Sequence, residues 1–396
     1  MDSPEPPLAA QSASHMFQNA TRFGIRDSHF MNVQGNLNIH LTIPPLSSLQ
    51  LQQGWETPQT AAVYSESENY SNQLLRQGRG FPLYAPKPCK SHPAEYRRRG
   101  VAIGDVGTVT PDGNFDFFFN IYRSADDPVN ANVPEGFVPL SLYDPGDITR
   151  EDFDPGDYVA PSSIRGINDA FSEPELGRGF VFSCRRADGA VLALPHGSHL
   201  EKLRNVAEMR RYATKHAESW YKHVNDTRGR GLVSGSLYLV TGCEKAESWG
   251  MATFHDVASQ NENEFQLLFA PTVDAGRGYR YRWHAPYCRH KYADESAGDG
   301  APLNQTTFIH GFNISLSKKI WGSLFGERVG GRGAPALDTA SDTSPVPQVF
   351  HPSQIIHERI LREAPQAAVV ITHDDDWRDI FREVYILYSF SPFPLF

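Results

Sequence analysis

Three features of the sequence predict an α+β fold with an antiparallel β-sandwich-like core. Short segments of alternating polar and apolar residues recur between Gly104 and Leu316, separated by turns rich in Gly, Pro and Asp. Within that stretch one long segment, from Ser198 to about Asn225, carries apolar residues at the three-to-four spacing of an amphipathic helix. A small helix-strand pattern, 351–396, closes the chain. Strand patterns outnumber helical ones and tight turns join them, so antiparallel pairing is expected.

Taken in order, residues 1–15 are Pro, Ser, Ala and Gln without periodicity, a disordered composition. Residues 16–43 read as a hairpin or strand pair. Phe23, Ile25, Phe30, Val33, Leu37 and Ile39 are spaced by polar residues, and Gln34-Gly35-Asn36 supplies the turn. Such a segment, rich in Asn and Gln, can add to a sheet edge or stack on copies of itself, so these six residues are candidate assembly contacts. The competing reading is a strand that completes the body's own sheet. Residues 44–79 have a linker composition.

The body, 80–325, opens with strands over Gly104–Val109 and Asn114–Tyr122, joined by the turn Thr110-Pro111-Asp112-Gly113. Two D-P-G-D turns follow, at Asp144–Asp147 and Asp154–Asp157. Gly179–Cys184 and Ala190–Leu194 read as a second hairpin. The helix is predicted to start at Ser198, because Ser198 and Glu201 form a capping-box pattern. Leu203, Val206, Met209, Ala213, Ala217, Trp220 and Val224 form its apolar stripe, and Thr227–Gly231 (TRGRG) ends it. Strands return at Ser236–Thr241, Ser248–Phe254, Glu264–Ala270, Gly278–Trp283 and Thr306–Leu316. Residues 326–350 are again a linker. The C-terminal unit pairs a helix from Pro352 to Glu363 with a strand over Ala367–Thr372.

The bulk numbers restrict function. The 396 residues include 37 Lys+Arg against 46 Asp+Glu, a net charge of −9, which argues against DNA as the main partner. The start, MDSPEPPLAA, lacks the basic and apolar regions of a secretion signal, and no run approaches a membrane helix in length. Four scattered Cys without a C-x-x-C pattern suit free thiols in a reducing cytoplasm. The phosphate-binding loop, the dinucleotide fingerprint, the nucleophile elbow and the H-E-x-x-H motif are all missing, and nothing points to a cofactor.

Three constellations could carry chemistry. His373-Asp374-Asp375-Asp376 follows a predicted strand, where carboxylates can hold a cation or do acid/base work; otherwise such a run is a solvated turn or the start of a helix near Trp377. Arg277, Tyr279, Arg280, Tyr281, Arg282 and Trp283 interleave basic and aromatic residues, which on a strand separates an Arg row from an aromatic row. Joined by Arg97, Arg98 and Arg99, that row could receive an anionic ligand; alternatively the aromatics are core. His284, Cys288 and His290 are metal-ligating types, but their H-x3-C-x-H spacing matches no closed structural site and a fourth ligand is not evident, so no metal is expected.

The segment FQNATRFGIRDSHFMNVQGNLNIHL resembles one that recurs in mushroom-forming fungi, often upstream of NACHT-type, NLR-like signalling NTPases. The body is similar to an uncharacterised family of the same fungi, through GVAIGDVGTVTPDGNFDFFFNI, LPHGSHLEKLRNVAEMRRYATKHAESWYKHVN, GSLYLVTGCEKAESWGMATF, FIHGFNISLS and HPSQIIHERILREAPQAAVVITHDDDW. The similarity spans about Phe17 to Trp377. It brings no catalytic residues, the NACHT unit itself is missing, and the apolar ending YILYSFSPFPLF falls outside it. The resemblance implies immune-like signalling. The expectation is therefore a non-enzymatic cytoplasmic binding or signalling protein, with a protein partner or copies of itself as ligand. A hydrolase using His373–Asp376 is the alternative. A pore former is the third reading, since Thr306–Leu316 alone reaches the length of a spanning strand.

Overall fold

The computed structural model describes residues 65–167, 172–173, 177–255, 265–274, 278–285, 288–294, 303–326 and 351–377. The candidate assembly residues of 16–43, all but Gly326 of the segment 326–350 read as a linker, and the ending after Trp377 lie outside the described residues. The fold is mixed α+β, with several antiparallel sheets.

The strands in chain order are β1 (Phe81–Pro82), β2 (Asp105–Val109), β3 (Phe115–Asn120), β4 (Ile148–Phe153), β5 (Asp157–Val159), β6 (Ile164–Ile167), β7 (Ser172–Glu173), β8 (Gly177–Arg178) and β9 (Phe180–Cys184). They continue with β10 (Gly189–Leu194), β11 (Ser198–Leu203), β12 (Leu237–Lys245), β13 (Ser248–Phe254), β14 (Phe265–Asp274), β15 (Gly278–His284), β16 (Arg289–Asp294), β17 (Thr306–Leu316) and β18 (Val369–His373). The helices are α1 (Glu66–Leu74), α2 (Ala94–Arg99), α3 (Ala207–Lys222), α4 (Lys318–Phe325) and α5 (Pro352–Glu363).

The large sheet is built on the long pair β12 and β17. One edge of β12 is shared by β2 at Tyr238 and Leu239 and by β11 from Gly242 to Lys245. The far edge of β17 is likewise divided, with β1 at Phe308 and Ile309 and β18 from Phe312 to Leu316. Period-two alternation sorts the side chains. Leu237, Leu239, Phe312 and Ile314 pack with Met209, Ala213, Ala217 and Trp220 of α3. Tyr238, Val240 and Ile309 pack on the other face with Ile356 and Ile360 of α5. The sheet is thus covered by a helix on each side, which explains why all eleven residues of β17 are buried.

The second sheet (β16-β13-β10-β5) and the third (β15-β14-β9-β6) face each other. Val191, Ala193, Ala252 and Phe254 of one meet Phe182, Phe269, Tyr281 and Trp283 of the other. Gly250 permits the close approach: a Cβ there would stand 2.4 Å from the Phe269 ring. The outer face of the second sheet, Leu192, Leu194 and Met251, buries Tyr70 and Leu74 of α1.

Three expectations are corrected. Ser198–Leu203 is a strand, paired with β4 and β12, and the helix starts at Ala207. The capping-box pattern there is coincidental: Glu201 pairs with Arg150 across the strands at 2.9 Å, and the Ser198 hydroxyl donates to Glu244 at 2.6 Å. The helical stripe begins in earnest only after Val206. The same S-x-x-E signature is a true capping box at Ser65–Glu68, which starts α1 inside the segment 44–79 assigned to a linker. Gly179–Cys184 and Ala190–Leu194 form no hairpin; β9 and β10 join opposite sheets, because both of their faces are buried. The C-terminal helix-strand unit is present as expected, and its strand β18 joins the large sheet. The hairpin β2–β3 forms as expected around Thr110–Gly113.

Candidate functional site

The acidic run lies where β18 leaves the large sheet. His373 is the last strand residue, and Asp374–Trp377 make a helical turn. The turn is capped reciprocally. The Asp376 carboxylate accepts the His373 N–H at 2.7 Å, and His373 Nδ1 accepts the Asp375 N–H at 3.2 Å. Of the sequence readings, helix start is therefore correct, three residues earlier than expected, and solvated turn is not: Asp374 is 2 % exposed.

Polar groups from three other parts of the chain converge on Asp374. The Tyr238 hydroxyl (β12) and the Gly311 N–H (β17, 3.0 Å) reach Oδ2. Trp377 Nε1 at 3.1 Å and His351 Nε2 at 3.4 Å face Oδ1. His351 Nδ1 accepts the Ser353 N–H at 3.2 Å, and Nε2, although near the carboxylate, makes no hydrogen bond. Burial pushes the Asp374 carboxyl up, but His351, His373 and Tyr238 outweigh it and hold the group below the usual carboxylate range. Gly311 is required here: a Cβ would stand 2.3 Å from the Leu239 carbonyl and 2.4 Å from the Tyr238 ring.

The neighbours are engaged in the same way. Both Asp375 oxygens accept from Lys202 of β11 at 2.7 Å, and against its burial His373 and Lys202 hold this carboxyl low. Burial raises the Asp376 carboxyl. His373 Nε2 lies 2.8 Å from the Thr241 hydroxyl. His357 of α5 spans Ser315 at 2.6 Å and Thr372 at 2.8 Å, and burial pushes it down to about 3. His310 is pushed down to about 3 by burial and by Lys202. Asp375, His373 and His357 thus fasten β18 and α5 to the large sheet, whereas both ring nitrogens of His310 are buried without a hydrogen-bond partner. Asp374 already accepts three hydrogen bonds, from Tyr238, Gly311 and Trp377.

Beside this network opens a pocket of about 180 Å³, lined in part by Phe81, Tyr238, Asn313, His351, Asp116 and Arg230. Asn313 Nδ2 donates to the Gly235 carbonyl at 2.9 Å, which fixes the amide orientation; its Oδ1 is buried without a hydrogen-bond partner. Arg230 stands at the rim, 3.3 Å from Asp116 and with its side chain 43 % exposed. Sequence reasoning missed this pocket. Its residues come from five separate stretches of chain, and none belongs to the three constellations read as candidates for chemistry.

The basic-aromatic candidates divide. Arg277 lies outside the described residues, and Tyr279 and Arg280 are placed in β15 by backbone alone. Tyr281 and Trp283 are core, with the Trp283 ring stacked 4.6 Å from Phe269, whereas Arg282 is exposed. The second cluster, on α2, belongs to the large sheet's core rather than to this sandwich: Tyr96 is buried there. Arg99 forks onto Asp105 at 2.7 and 2.9 Å, Arg98 pairs with Glu95, and Arg97 is exposed. His284 and His290 are exposed and Cys288 half-buried, its thiol pushed up to about 12 by burial. Among the described residues no three metal-ligating side chains come together. No described helix is long and apolar enough to cross a membrane. Neither a protein-family model nor a curated protein matches the sequence.

Proposed function

We propose that this chain is a non-enzymatic cytoplasmic binding or immune-like signalling protein, with 16–43 as its assembly segment. The observation that supports this reading best is the engagement of the acidic run. The residues best suited to hydrolysis are engaged in holding β18 to the large sheet, with Asp374 accepting from Tyr238, Gly311 and Trp377. Four scattered Cys without a C-x-x-C pattern suit a reducing compartment. The assembly role rests on the alternation of Phe23, Ile25, Phe30, Val33, Leu37 and Ile39.

Light scattering and a thioflavin assay on the full chain, beside the Leu37→Asp/Ile39→Asp double variant, test the assembly role. Assembly of the parent chain that the double variant loses supports it. Identical monomers overturn it. A parallel screen with nitrophenyl esters and phosphates tests the non-enzymatic half: turnover that Asp375→Asn abolishes would restore the hydrolase.

A further inference from the structure

Helix α4 is packed unlike the other long helices. α1, α3 and α5 each bury large apolar side chains: Tyr70 and Leu74, Met209 and Trp220, Ile356 and Ile360. α4 buries none of its eight residues. Its large apolar side chains, Ile320, Trp321, Leu324 and Phe325, lie against the core of the large sheet, yet all four stay half-buried. Trp321 meets Tyr221 of α3 edge-on at 5.2 Å and Phe325 at 4.6 Å.

The polar side of α4 has a pattern of its own. Helical spacing sets Lys318, Trp321 and Phe325 in one line along an edge of the helix. Lys318 and Lys319 are exposed in the first turn, α4 holds no carboxylate, and neither lysine makes an ion pair among the described residues. The helix dipole opposes cations at this end, so the folding of α4 does not account for them. Between them and the C-terminus the outer side is small: a Cβ on Gly322 would meet nothing within 4 Å. The exposed Glu218 and Lys222 at the adjoining end of α3 offset one another.

Lysines beside part-exposed Trp and Phe suit a helix that lies at a bilayer interface. There the rings sit at headgroup level and the ammonium groups meet anionic lipid. The chain as a whole carries −9, so an anionic bilayer repels it except through a local cationic surface such as this one.

We infer that α4 docks the protein on the surface of an anionic membrane, with Lys318 and Lys319 on the headgroups and the Trp321–Phe325 edge at the interface. The contact is peripheral, because eight residues make only about 12 Å of helix. It goes beyond the proposed function and does not depend on the assembly segment.

Flotation of the full chain with phosphatidylcholine vesicles holding about 30 % phosphatidylserine, beside pure phosphatidylcholine vesicles, tests this. Binding to the anionic vesicles is expected at accessible lipid on the order of 1 mM, weaker than a single myristoyl chain confers. Pure phosphatidylcholine should bind several-fold less. Lys318→Gln/Lys319→Gln should weaken binding about twentyfold, since each lysine near an anionic surface contributes about fivefold. Lys87→Gln/Lys90→Gln removes the same charge from exposed positions in the loop before α2 and should leave binding unchanged. Lipid brominated in its acyl chains should quench the tryptophan fluorescence of the bound chain, and Trp321→Phe, which keeps a ring in place, should remove most of that quenching. The inference is overturned if anionic vesicles bind no better than neutral ones, if the two double variants bind alike, or if quenching survives Trp321→Phe. Binding that Lys318→Gln/Lys319→Gln leaves intact would place the contact elsewhere, as on the apolar ending YILYSFSPFPLF, and would overturn it as well.

Discussion

The sandwich of the second and third sheets and the C-terminal edge of the large sheet are both buried, by opposite means. The sandwich closes over rings: Phe180, Phe182, Phe269, Tyr281 and Trp283 pack on one another without needing directed partners. The edge closes over charge: Asp374, Asp375, His357 and His373 are each held by named bonds to other strands and helices. Apolar burial is roughly proportional to area and forgives small changes of shape. A buried carboxylate is tolerated only while its lone pairs are filled.

The comparison breaks most sharply at Asp374. Asp374→Asn keeps the volume but turns two amide hydrogens toward donors. It should cost about 3–5 kcal/mol in urea unfolding. A loss under about 1 kcal/mol would show that the network is not a fastening.

Acid should attack the edge before the sandwich. His310 and His357 have folded pKa values of about 3, well below the usual histidine value near 6.5. Lys202, Asp374, Asp375 and His373 are the charged or titratable groups that act on His310; His351 acts on His357. Because the unfolded chain takes up these protons first, the stability they carry is complete above about pH 6.5 and falls as pH drops toward about 3. The slope is up to about 1.4 kcal/mol per pH unit for each histidine. Asp374 and Asp375, held low, contribute above about pH 3.9 and lose that contribution only as pH falls through their still lower folded values. Unfolding free energies measured from pH 7 to pH 4 should therefore show about two protons taken up, and His357→Gln should remove about one of them. A flat profile would contradict the buried neutral histidines.

Gly311→Ala tests the geometry rather than the charge. Its Cβ would press on the Leu239 carbonyl and the Tyr238 ring, displacing the hydroxyl that serves Asp374. A loss of about 1–3 kcal/mol is expected from thermal denaturation. The smallest effect belongs to the sandwich, where Phe269→Met should cost about 1–1.5 kcal/mol, because neighbouring rings can close around a flexible apolar side chain. A Phe269→Met loss as large as that of Asp374→Asn would erase the distinction between the two regions.

Much of the fold is legible in the sequence, because alternation and helical spacing report which face of an element is buried. β13, β17 and α5 lie at the residues their patterns predict. Leu237 and Tyr238 point to opposite helices for the same reason. The pattern also separated the two rows of β15, with Tyr281 and Trp283 inward and Arg282 outward. Which partner a strand takes was not legible. β9 and β10 look like a hairpin locally, yet they pair in opposite sheets, with β14 and β13 respectively, far along the chain. The signature S-x-x-E caps a helix at Ser65 and lies in a strand at Ser198, since at Ser198 the hydroxyl has Glu244 and Arg79 to bond. The character of the acidic run was decided in the same way. Four charged or polar letters, His373 to Asp376, are equally compatible with solvent and interior, and only the arrival of Tyr238, Gly311, His351 and Lys202 from four other segments made the interior affordable. The sequence by itself determined period, and with it class and core faces, because the hydrophobic effect acts on each side chain separately. Tertiary structure decided the pairings and the polar network, because a hydrogen bond needs two groups whose meeting depends on the whole fold.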